Sequence, residues 1–91
     1  MKTKDLIKKI NKQIPEANAV PIKEFYDKEI TGGIWFKGSE DIAEDGTIIF
    51  DGCETFLSDT QGIHPTLYKI LNNAGWYGQP YDTGTLMAYK I

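Results

Sequence analysis

The sequence predicts an α+β fold: an antiparallel sheet of four to five strands with two helices packed on one of its faces. Three observations carry this. Two segments, near 4–13 and 65–73, repeat apolar residues at helical spacing and bear helix-end signals. Short β-branched and aromatic runs lie between and after them. Turn signals join several of those runs at hairpin distances, where a parallel sheet would need long crossovers. The predicted order is α-β-β-β-(β)-α-β-β, and 91 residues make one domain, 1–91.

In the first helix, Leu6, Ile7, Ile10 and Ile14 form one apolar stripe. Thr3 is the expected N-cap, Asp5 faces the positive end of the helix dipole, and Pro15 ends the helix. Lys2, Lys4, Lys8, Lys9 and Lys12 cover the opposite faces. Residues 19–26 (AVPIKEFY) read as a strand, and Pro21, which cannot donate to a ladder, makes it an edge strand or the start of one. Gly32-Gly33 reads as a turn or bulge before the short strand Ile34-Trp35-Phe36. A polar loop, 38–46, closes at Asp45-Gly46, and Thr47–Phe50 is the next expected strand, antiparallel to the previous one. Residues 54–57 (ETFL) fit a further strand or an ordered loop. The second helix has the clearest ends. His64 is the N-cap, Pro65 the first helical residue, and Gly75 the left-handed residue after the end. Trp76–Tyr81 and Thr85–Ile91 then form a hairpin around Asp82-Thr83-Gly84.

Composition bounds function. The chain is 41% hydrophobic and 25% charged, ordinary for a globular domain. It has no run near eighteen apolar residues to span a membrane, and no apolar stretch behind the N-terminal lysines to make a signal peptide. The single cysteine, Cys53, allows no internal disulfide, so a cytoplasmic protein is expected. Ten lysines and no arginine suggest an AT-rich coding sequence, as in low-GC bacteria and their mobile elements. Residues 1–37 carry a net charge of +3 and residues 38–91 a net charge of −6.

Catalytic, metal and nucleotide constellations are incomplete. Asp41, Asp45, Gly46 and Ile48 fall on positions one, five, six and eight of a calcium loop, but Ala43 and Gly52 stand where ligands belong. Cys53 and His64, the only thiol and imidazole, are too few for a structural zinc site. Acidic neighbours disfavour a Cys53 thiolate, so a structural cysteine and a capping histidine are expected. The glycines form no phosphate-binding pattern. No catalytic residue, metal or cofactor is therefore assigned. Nucleic-acid binding is disfavoured by a pI near 5.0 and by aromatics not interleaved with lysine.

Two surfaces remain. Strand alternation sends Trp35, Tyr77, Tyr81, Met87 and Tyr89 to the sheet face free of the two helices, and these residue types are enriched in interface cores. Glu40, Asp41, Glu44, Asp45, Asp51, Glu54 and Asp59 form an acidic segment without a single lysine. The sequence favours a non-enzymatic interaction or regulatory domain, monomer or homodimer, that binds a protein partner through the aromatic face. Two alternatives use the acidic segment: a nucleic-acid mimic that inhibits a basic protein, and a small enzyme or ligand binder with an acidic cleft at 40–59.

Overall fold

The first apolar stripe is realised as helix α1, Thr3–Gln13, in a computed structural model that describes residues 2–26, 32–53 and 57–91. Leu6 and Ile10 are fully buried along it. Lys2, not Thr3, stands at the N-cap, without a side-chain cap bond. Pro15 opens a short 3-10 turn, Pro15–Ala17, which leads through left-handed Asn18 into strand β1, Ala19–Pro21. The chain then turns into one short helix, α2, Lys23–Tyr26. The expected strand over 19–26 therefore stops at Pro21. Ile22 and Phe25 are spaced i, i+3, so one helical turn brings both to the same side.

Strand β2 is Gly33–Phe36, and after a long irregular segment comes helix α3, Pro65–Asn73. His64 Nδ1 accepts a hydrogen bond from the Thr66 N–H at 3.1 Å, and Gly75 follows the helix at φ +77°. The predicted caps of this helix are thus present. Strands β3, Trp76–Asp82, and β4, Thr85–Lys90, complete the hairpin. The sheet is antiparallel throughout, in the order β1-β2-β4-β3. The fold is α+β, with three helices among the described residues where two were expected.

Helices α1 and α3 cover one face. Leu6, Ile10, Leu67 and Leu71 meet Ile34, Phe36, Leu86, Ala88 and Trp76 in a single buried cluster. The segment after β2 joins this core without joining the sheet. The strand expected at Thr47–Phe50 is a correction: its residues make only isolated bridges, Ile42 with Ile48 and Phe50 with Ile63. The reason lies in its side chains. Ile49 and Phe50 are consecutive and both buried, which a strand with one wet face cannot provide. The backbone there bonds to irregular partners, the Ile49 N–H to Asp41 O and the Phe50 N–H to Ser39 O, both at 2.9 Å. Ser39, itself buried, extends the β2–β4 ladder beyond its end. Its hydroxyl donates to Phe36 O and accepts from the Leu86 N–H at 2.9 Å.

The two sheet edges differ. Hydrogen bonds from Lys37 N to Asn18 O and from Ile22 N to Gly33 O fix the phase of β1, so Ala19 and Pro21 direct their backbone groups outward. The Asn11 side chain takes both groups of Ala19, donating to its carbonyl at 2.9 Å and accepting from its N–H at 2.8 Å. Pro21 has no N–H to offer. On β3 the Ile91 N–H to Gly75 O bond sets the phase, and Trp76, Gly78 and Pro80 point outward.

Candidate functional site: an aromatic sheet face

Register places the rings. Val20, Trp35, Met87 and Gln79 run across the four strands in one row; Gly33, Tyr89 and Tyr77 form the next. Trp35 and Met87 occupy the face opposite α1 and α3, since their neighbours Ile34, Phe36, Leu86 and Ala88 are core residues, and the shared rows place Val20, Gln79, Tyr89 and Tyr77 on that face with them. Tyr77 and Tyr89 lie with ring centroids 6.0 Å apart, and the Tyr89 hydroxyl donates to Met87 Sδ at 3.6 Å. Gly33 permits the close packing here. A Cβ at that position would stand 2.9 Å from Ile22 Cδ1 and 3.1 Å from Tyr89 Cε1.

Tyr81 lies at an irregularity, where the β3–β4 register slips between Pro80 and Asp82. Phe25, delivered by α2, meets Trp35 edge-to-face at 5.0 Å and Tyr81 edge-to-face at 4.8 Å. One ring thus spans from β2 to β3, and Met87 on the intervening β4 is 1% exposed. Trp35 and Tyr89 are half-buried, while Tyr77 and Tyr81 are 42% and 54% exposed. The Lys37 ammonium stands 5.8 Å from the Trp35 ring centroid, within cation–π reach. The five residues read from the sequence are brought together on this face. Phe25 was missed because 19–26 was read as one strand; Pro21 followed by Ile22 and Phe25 at helical spacing was the available signal.

The acidic residues are spread over several surroundings. Glu40 lies against the β3–β4 turn, its Oε1 2.1 Å from where a Cβ on Gly84 would stand. Glu44 and Asp45 line a hollow of about 320 Å³ with Glu16 and His64, whereas Asp51 lines another with Ile42 and Leu57. Asp41 and Asp59 are exposed, and Glu54 lies outside the described residues. Asp45-Gly46 is a turn, with the Thr47 N–H bonding Asp45 Oδ1 at 2.9 Å and Gly46 at φ +85°. That backbone bond, helped by His64, holds the Asp45 carboxyl below its ordinary range.

His64 is buried, and its Nε2 lies 3.0 Å from Asp45 Oδ2. Because Nδ1 accepts from Thr66, the neutral ring carries its proton on Nε2 and donates it to Asp45. Both nitrogens are committed, one to capping α3 and one to tethering the acidic turn. Neither can take a proton from a substrate without giving up a structural bond. Cys53 is exposed, and its N–H bonds Asp51 Oδ1 at 3.2 Å. Among the described residues no group of three metal-ligating side chains is assembled, and no helix is long and apolar enough to cross a membrane. No protein-family model, curated protein or solved structure matches the chain.

Proposed function

We propose that this protein is a non-enzymatic interaction domain that docks a protein partner through the aromatic face, inside a bacterial cell. The observation that supports this is the exposure of Tyr77 and Tyr81 at the ends of an otherwise packed ring array. Tyr and Trp dominate binding hot spots because they bury large area at low entropic cost. Here the rings are already held by Phe25, Trp35 and Tyr89, so little ordering remains to be done on docking.

Affinity capture from a bacterial lysate, with the purified chain as bait, tests the reading. Tyr77→Ala together with Tyr81→Ala removes the captured partner while the melting temperature stays near that of wild type. Charge reversal at Glu40, Asp41 and Glu44 leaves capture intact, and capture persists in high salt, since apolar burial is not screened. Capture that survives loss of both tyrosines but disappears on charge reversal or in salt replaces this reading with acidic mimicry of nucleic acid.

A further inference from the structure

Strand β3 is the outer strand on its side of the sheet, and Trp76, Gly78 and Pro80 turn their backbone groups away from β4. Trp76 is 1% exposed, so the approachable groups are the N–H and carbonyl of half-buried Gly78 and the carbonyl of exposed Pro80. Among the described residues, none of these three groups finds a hydrogen-bond partner. The side chains between them are placed symmetrically. Tyr77, Gln79 and Tyr81 are all exposed, and the two tyrosines stand equally far along the strand on either side of Gln79. All three lie on the aromatic face: Tyr77 beside Tyr89, Gln79 in the row of Met87, Tyr81 against Phe25. Residues 76–81 carry no charge, so two chains of net charge −3 can meet there without like charges in the seam.

We propose, resting on the docking reading above, that the partner is a second copy of this chain, paired antiparallel along β3 with Gln79 on the two-fold axis. The Gly78 N–H then donates to the partner's Pro80 carbonyl, and the partner's Gly78 does the same in return, so each proline serves only as an acceptor. Gln79 faces the partner's Gln79 and Tyr77 faces the partner's Tyr81, in positions where no backbone bond is made and side chains approach most closely. The neighbouring registers fail. With Gly78 on the axis, the outer bonds fall to the N–H of buried Trp76. With Pro80 on the axis, two residues without an N–H meet. An unrelated extended segment takes the backbone bonds equally well, but only a copy of this edge returns a tyrosine to each tyrosine. The register slip beyond Pro80 keeps the seam short, which places the dimer among weak, reversible associations.

Analytical ultracentrifugation of the full chain over a concentration series tests this. A reversible monomer–dimer equilibrium is expected. Gln79→Lys and Gln79→Glu, at an exposed position, each weaken the dimer by about tenfold or more, because like charges then meet on the axis. An equimolar mixture of the two variants restores association, which no register other than the one centred on Gln79 explains. Tyr77→Ala with Tyr81→Ala weakens the dimer to a similar degree. A monomer throughout the series, a dimer that both Gln79 variants leave unchanged, or a mixture that fails to associate overturns the proposal. A monomer that still captures a lysate protein through Tyr77 and Tyr81 overturns the second copy alone and leaves the docking reading standing. A dimer indifferent to the loss of both tyrosines overturns the two together.

Discussion

The two faces of the sheet are built from the same two central strands, β2 and β4, yet differ in how they are covered. Under α1 and α3 the face is aliphatic and closed: Ile34, Phe36, Leu86 and Ala88 are all fully buried. On the other side the same strands present Trp35, Met87 and Tyr89, covered in part by a single turn of helix and one ring, Phe25. The first face gains stability from close packing over its whole area. The second holds its rings in place but leaves edges in water. The difference teaches that a half-covered aromatic layer can be rigid without being a core, a useful property for a docking surface.

Substitutions at matched positions put this contrast to the test. The largest loss is expected for Phe36→Ala, about 3–5 kcal/mol from the lost transfer energy and the cavity left behind. Met87→Ala follows, about 2–5 kcal/mol, because the face that carries it still buries it almost completely. Denaturant unfolding measures both; a Met87→Ala loss under 1 kcal/mol would reduce the aromatic layer to decoration. Ser39→Ala is expected to cost about 1–3 kcal/mol, since the Leu86 N–H loses its acceptor in a buried place. Tyr81→Ala should cost about 0.5–1.5 kcal/mol, the usual worth of a ring pair such as its contact with Phe25, while removing partner capture.

Acid probes the tether between the loop and α3. The Asp45 carboxyl is held below its ordinary value of 3.8 in the folded state. Its contribution to stability is therefore complete above that value and is lost as pH falls through the lower, folded one. Wild type and Asp45→Asn should differ in melting temperature at pH 6 and converge toward pH 3. A difference that stays constant over that interval removes Asp45 ionisation from the account.

The legible parts of the sequence are those where local signals and tertiary packing agree. His64-Pro65 and Gly75 mark α3 because capping chemistry is local. Pro21 marks an edge because a missing N–H has only one tolerable place in a sheet. The alternation of Trp35 between Ile34 and Phe36, and of Met87 and Tyr89 between Leu86 and Ala88, was enough to gather most of the site. Thr47–Phe50 misled because β-branched residues also suit an irregular segment whose consecutive side chains are both buried. The Asp45–His64 pairing spans nineteen residues and has no sequence signature. Nor has Asn11 on Ala19, which depends on how α1 crosses β1.

That last contact governs how copies of this chain can join. With Ala19 engaged by Asn11 and Pro21 lacking an N–H, β1 has little backbone left with which to recruit another strand. On β3 the outward positions are Trp76, Gly78 and Pro80, of which Trp76 and Gly78 keep an N–H. Strand pairing of like with like at that edge has two-fold symmetry and ends at two. Growth into a filament requires a second, different edge. The amide of Asn11 thus occupies the Ala19 backbone groups that an added strand would need.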